Sequence, residues 1–313
     1  MNDIEISVVI PVYGCKAALN ELYERLTKTL NQLVKNYEII MVDDCCPQNS
    51  WELIEKICKE DSRVQAIKLS RNFGQMCAIL AGLDASAGDW VVVMDCDLQD
   101  SPEDIINLYN KAMEGYDIVF STRRNRHDNK IKIIVSNAFY KIYSWLSNDC
   151  FDPAMSNFSI CKRKVIDSYC SMRESHRAFT MYLKWLGFNS TSIDVEHSFR
   201  KEGKSSYTMK KRMNLAIDIL TSQSDKLLKV IVSLGMVMSL ISFITIVVLV
   251  ISYFCNSNIA TGWTSLIATM FLLGGCVLMA IGIVGIYVGN IFMESKHRPL
   301  YVVNKVLNHK EEK

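Results

Sequence analysis

Val93-Met94-Asp95-Cys96-Asp97-Leu98-Gln99-Asp100-Ser101-Pro102-Glu103 is the end of an apolar strand that runs into two carboxylates and a proline-led helix start. Residues 90–94 are β-rich, and residues 102–113 have helical spacing with Pro102 at a favourable first position. The same alternation extends towards the N-terminus. Strands are expected over residues 4–10, 38–42, 64–69, 90–94 and 117–121. Helices are expected over 16–34, 50–60 (capped by Asn49 or Ser50), 73–86 and 102–113. Strands and helices in strict alternation imply an α/β domain whose largely parallel sheet is covered on both faces. Ligands of such sheets bind beyond the carboxyl ends of the strands. Those ends read Pro11-Val12-Tyr13, Asp43-Asp44 and Asp95-Cys96-Asp97. Four carboxylates on one edge repel one another unless a cation or hydrogen-bond donors are supplied. Mg2+ or Mn2+ suits all-oxygen ligands and bridges carboxylates to substrate phosphates. The plainer reading makes Asp43-Asp44 a capping turn and Asp95 and Asp97 a solvated turn. Neither G-x-G-x-x-G nor a Walker A sequence occurs, so phosphates would be held through a metal and basic side chains.

The chain has 313 residues, 50% hydrophobic and 22% charged, with a formal net charge of +2. That excludes a disordered chain, and nothing global points to nucleic acid. The average conceals a block without Asp, Glu, Lys or Arg from Val230 through Met293. Two apolar segments in it, 230–254 and 264–292, each exceed the roughly 20 helical residues that cross a bilayer. A short uncharged turn joins them, so a two-helix transmembrane hairpin is expected. Lys226 and Lys229 before it and Lys296, Arg298, Lys305 and Lys310 after it place both termini in the cytoplasm. Gly285 and Gly289 suit close helix packing, within the hairpin or between copies. Residues 208–229 read as a basic amphipathic juxtamembrane helix, residues 1–207 as the cytoplasmic catalytic domain and 293–313 as a cytoplasmic tail. The N-terminus has no signal-peptide pattern. Eleven scattered cysteines without a C-x-x-C pair suggest reduced thiols rather than a disulfide framework or a zinc site.

Val8-Val9-Ile10-Pro11-Val12-Tyr13, Val42-Asp43-Asp44, Ser70-Arg71-Asn72-Phe73-Gly74 and the stretch from Val93 to Glu103 together resemble a family 2 glycosyltransferase of GT-A fold. More narrowly, nearly the whole chain resembles the polyprenyl-phosphate glycosyltransferases and dolichol-phosphate mannose synthase. The resemblance implies a nucleotide-diphospho-sugar transferase domain, then the amphipathic helix and the hairpin. It implies that Pro11, Tyr13 and Asp43 hold the base and ribose of the donor, with Asp44 supporting that pocket. Asp95 and Asp97 would hold ribose and metal, with Gln99 beside the diphosphate. Arg200-Lys201-Glu202-Gly203-Lys204-Ser205-Ser206-Tyr207 is similar to a loop that closes over the donor diphosphate, which assigns Arg200, Ser205 and Tyr207 to donor binding. Arg123, Lys132 and Ser136 would contact the acceptor phosphate, and His176 would line the acceptor side.

The reaction implied is an inverting transfer of a sugar from a nucleotide diphosphate to a polyprenyl (undecaprenyl-type) phosphate at the cytoplasmic face of the inner membrane, by a homo-oligomer, tetrameric in related enzymes. The metal at Asp95 and Asp97, together with Arg200, would neutralise the leaving diphosphate. A phosphate acceptor is already ionised at neutral pH and needs positioning more than a base. One stretch departs from the family. Many polyprenyl-phosphate enzymes carry G-D-F-R-L, with a proposed catalytic Asp, where this chain has Ser156-Asn157-Phe158-Ser159-Ile160. Asn157 cannot act as a base. A glycosyltransferase of O-antigen type, acting on a lipid-diphosphate-linked sugar, is therefore a second reading, and a non-catalytic nucleotide-sugar-binding membrane partner is a third. The sugar, the nucleotide and the acceptor are not marked by any motif.

Overall fold

A computed structural model of the chain describes residues 4–123, 155–174, 178–195 and 263–308, with scattered positions between 228 and 244. The chain divides into two compact units. One comprises residues 1–140, 151–208 and 298–313, and the other 141–150 and 209–297.

In the first unit the described strands form one eight-stranded sheet in the order β7-β5-β6-β4-β1-β2-β3-β8. Its centre is β4 (Trp90–Val93), β1 (Ile6–Val12), β2 (Tyr37–Asp43) and β3 (Val64–Leu69), paired in parallel. β1, β2 and β4 are buried on both faces, which is why they read as largely apolar runs. On one side of the sheet lie α1 (Leu19–Leu33), α2 (Trp51–Glu60) and α4 (Asp104–Met113), around Val8, Ile10, Ile39 and Val92. On the other side α3 (Gln75–Ala85) packs with two helices beyond the expected region, α5 (Arg163–Ser171) and α6 (Phe179–Trp185), around Val9, Ile40, Val91 and Phe120. Gly82 lets α3 lie against β1, because a Cβ there would run into the side chain of Val9. Ser50 takes the N-cap position of α2 but makes no side-chain cap; its hydroxyl donates to Cys46 Sγ at 3.1 Å.

Three strands lie beyond those expected. β6 (Met155–Lys162) runs antiparallel between β4 and β5 (Ile118–Arg123), and β7 (Ser190–Val195) adds in parallel outside β5. β8 (Val303–Leu307) pairs antiparallel with β3 and closes the other edge. The ladder continues through Ser70 N–H to the Val302 carbonyl at 2.9 Å. Asn308 Nδ2 donates to the carbonyls of Cys58 and Val64. Residues 298–308 thus pack into the first unit.

In the second unit the later apolar segment forms α7 (Trp263–Ser295). Its stretch Leu273–Ser295, with a mean hydropathy of 2.2, is long and apolar enough to cross a membrane. Apolar residues along it, including Val277, Leu278, Ile281, Val288 and Ile291, are exposed, while the stripe Cys276, Ala280, Ile283, Tyr287 and Asn290 is only partly so. A Cβ on Gly285 or Gly289 meets no described atom within 4 Å, so the packing expected at these glycines is not seen among the described residues. The earlier apolar segment is described only at scattered helical positions, from Leu228 to Ile244. The amphipathic helix expected over 208–229 lies almost wholly outside the described residues.

Candidate active site

The chain order turns back at β1: β2 and β3 lie on one side of it and β4 on the other. Such a switch point opens a crevice beyond the carboxyl ends of the strands. The residues following β1, β2 and β4 meet there. Pro11 is buried and pairs with Val42, while Tyr13, past the strand end, is 40% exposed. Asp44 N–H donates to the Val12 carbonyl at 3.2 Å, which holds the ends of β1 and β2 together.

Asp43 and Asp44 are each 2% exposed. Asp43 Oδ1 accepts from Cys46 N–H at 3.2 Å. Asp44 accepts two backbone N–H groups from the loop after β3: Phe73 at 2.7 Å and Gly74 at 2.9 Å. Burial raises the pKa of both carboxyls, and these N–H groups offset part of that rise. The two-donor grip requires an unusual backbone at Gly74, with φ 94° and ψ 157°, a region closed to L side chains.

Asp95 Oδ1 accepts from Gln75 Nε2 at 2.7 Å. Asp97 is buried and its Oδ1 accepts from Gln99 N–H at 3.1 Å, closing the turn behind β4. Leu98 inside that turn sits at φ 59°, which is uncommon for a bulky residue and recurs at functional sites. Between the two carboxylates, Cys96 forms a disulfide with Cys15 from the loop after β1, at a Cα–Cα separation of 6.1 Å. This corrects the expectation of reduced thiols throughout. The partners are 81 residues apart in the chain, and only the adjacency of β1 and β4 brings them together. Buried Cys58 and Cys161 do behave as expected, as free thiols pushed up to about 12 by burial.

The acidic edge fits a divalent cation in one particular way. Among the described residues no three His, Cys, Asp or Glu side chains converge. Asp95 and Asp97 could therefore hold a metal only with oxygens brought by a ligand, as Mg2+ is held by one or two carboxylates plus phosphates. Arg123 ends β5, and Asn157 lies on β6, where its carbonyl accepts from Ser159 Oγ at 3.1 Å. Lys132, Ser136, His176, Arg200, Ser205 and Tyr207 lie outside the described residues. Sequence reasoning misses Gln75 and the Cys15–Cys96 pair. Gln75 directly follows the Ser70–Gly74 motif and opens a helix, which is a usable signal.

The fold is that of a GT-A glycosyltransferase. The chain belongs to glycosyl transferase family 2, whose model matches residues 7–170, and it is a glycosyltransferase. It is 36% identical over 304 residues to the uncharacterized glycosyltransferase YkcC of Bacillus subtilis (strain 168), covering 96% of this chain and 94% of that one. It is 33% identical over 310 residues to the undecaprenyl-phosphate 4-deoxy-4-formamido-L-arabinose transferase of Proteus mirabilis (strain HI4320), covering 98% and 95%. A glucosyl-3-phosphoglycerate synthase from Mycobacterium tuberculosis, solved with Mn2+, UDP and phosphoglyceric acid, shares the fold. Its TM-score is 0.51 at 15% identity, over 70% of this chain and 77% of that one.

Proposed function

We propose that the chain is a membrane-bound, inverting glycosyltransferase that moves a sugar from a nucleotide diphosphate sugar to a polyprenyl (undecaprenyl-type) phosphate at the cytoplasmic face of the inner membrane. The observation that carries this reading is the end-to-end similarity to a transferase named for undecaprenyl phosphate, across catalytic unit and apolar segments alike. Two spans with cytoplasmic termini, and assembly as a homo-oligomer (a tetramer by resemblance), belong to the same reading, supported by α7 and the flanking basic residues.

In this reading Pro11, Tyr13 and Asp43 bind the base and ribose, and Asp44 secures the loop beside them. Asp95 and Asp97 face the diphosphate together with Gln99. A bound Mg2+ or Mn2+ would supply positive charge to the departing diphosphate. Arg200, with Ser205 and Tyr207, closes over the donor and excludes water, a rival acceptor. Arg123, Lys132 and Ser136 hold the acceptor phosphate for attack on the anomeric carbon from the face opposite the diphosphate. An ionised phosphate oxygen needs no general base, which agrees with Asn157 standing where the related enzymes have Asp.

The test supplies polyprenyl phosphate with UDP-, GDP- and dTDP-sugars in the presence of Mg2+ or Mn2+. An acid-labile lipid-phosphate sugar is expected. Transfer only to a lipid-diphosphate glycan would instead favour the O-antigen type, for which Asn157 is the motivating residue. Nucleotide-sugar binding without turnover on any acceptor would favour a non-catalytic partner.

A further inference from the structure

We propose that Gln75 is the positioning residue of Asp95, and that Asp44 sets Gln75 in place through the loop of residues 70–74. The inference rests on the proposed donor site and adds a residue to it.

Gln75 is the first residue of α3, and its side-chain amide reaches across to a carboxylate 20 positions further along the chain. Its backbone place is not left to chance. Immediately before it, the N–H groups of Phe73 and Gly74 both converge on Asp44, and Gly74 adopts the backbone that allows this. On the other side of the loop, Ser70 is tied to Val302 of the C-terminal segment. The Arg71 guanidinium lies 4.1 Å from the centre of the Phe73 ring. The end of β2 thus fixes the start of α3, and the start of α3 fixes a side chain behind β4.

The type of donor matters. A lysine or arginine at position 75 would also orient Asp95, but it would cancel the charge on which a divalent cation depends. The neutral amide of Gln75 points the carboxylate and leaves its charge intact. Groups that orient a metal-facing carboxylate in this way typically contribute about 10- to 100-fold in metal affinity.

The experiment uses the full-length protein in detergent and titrates Mn2+, followed by its electron paramagnetic resonance signal, with UDP, GDP or dTDP present. Gln75→Ala is expected to raise the apparent Mn2+ dissociation constant about 10- to 100-fold with its thermal midpoint in metal-free buffer unchanged. Gln75→Lys, which keeps a donor but adds a positive charge, is expected to bind Mn2+ no better than Gln75→Ala. The double variant Asp44→Asn/Gln75→Ala should bind Mn2+ no more weakly than the weaker single variant, since both act through one group. Wild-type Mn2+ binding that is unchanged in Gln75→Ala, or restored by Gln75→Lys, would overturn the inference alone. No nucleotide-dependent Mn2+ binding in the wild type would overturn the donor site and this inference together.

Discussion

The two acidic strand ends, Asp43-Asp44 after β2 and Asp95-Cys96-Asp97 after β4, look alike in sequence and are built differently. Asp43 and Asp44 face inward to backbone: one accepts from Cys46 N–H, the other from Phe73 and Gly74 N–H. They shape loops. Asp95 and Asp97 flank a cross-linked cysteine, one held by a side-chain amide and the other by the N–H of its own turn. These two donors are neutral and themselves bring no positive charge to the second pair. In the proposed site the first strand end would hold the base and ribose and secure the loop beside them, and the second would face the diphosphate.

The sharpest way to break this contrast is Asp97→Ala. If the second pair faces the donor, turnover should fall roughly 1000-fold, about 4 kcal/mol of transition-state stabilisation, while the protein still inserts and folds. Retention of a metal-dependent rate would place the chemistry elsewhere. The next largest effect concerns the bond between the pairs' neighbouring loops. Replacing both Cys15 and Cys96 with Ser should cost about 2–4 kcal/mol of stability, since the bridge closes a long loop. Thermal midpoints with and without dithiothreitol check it: the wild type should shift downwards on reduction and the double variant should not.

How much of this contrast is legible in the sequence depends on burial pattern. β1, β2 and β4 are largely apolar runs, β3 is interrupted by Gln65 and Lys68, and their carboxyl ends follow directly from strand–helix alternation. β7, Ser-Thr-Ser-Ile-Asp-Val, is mostly polar and lies at a sheet edge, and β6, Met-Ser-Asn-Phe-Ser-Ile-Cys-Lys, mixes polar with apolar residues. Neither carries the signature of a central parallel strand. β8 is a short, mostly exposed edge strand that follows a long apolar helix, so its position argues for a tail. The acidic site is visible as residue types, whereas its wiring through Gln75, Gly74 and Cys15 depends on contacts between segments distant in sequence.

A smaller effect separates the scaffolding role of Asp44 from chemistry. In Asp44→Asn an amide replaces the carboxylate, and one of the two backbone N–H groups then faces an amide donor instead of an acceptor. A buried unsatisfied N–H costs about 1–3 kcal/mol. The variant should therefore lose stability in chemical denaturation at neutral pH. Stability equal to that of the wild type would mean that the grip on Phe73 and Gly74 is not needed to hold the loop.

The smallest expected effect is in the pH dependence of the same variant, and its sign is fixed by burial. Burial favours the neutral acid at Asp43 and Asp44, so both bind their protons more tightly in the fold than in the unfolded chain. Their contribution to stability is fully present below the ordinary aspartate value of 3.8 and is lost as the pH rises through the raised values. The amide introduced by Asp44→Asn does not titrate, so the variant should show a shallower decline in thermal midpoint than the wild type as the pH rises above 3.8. The remaining slope would then belong to Asp43 and the chain's other titrating groups. A variant whose midpoint declines as steeply as the wild type's would show that Asp44 carries no raised pKa. The contrast between the two acidic strand ends would then rest on hydrogen bonding alone.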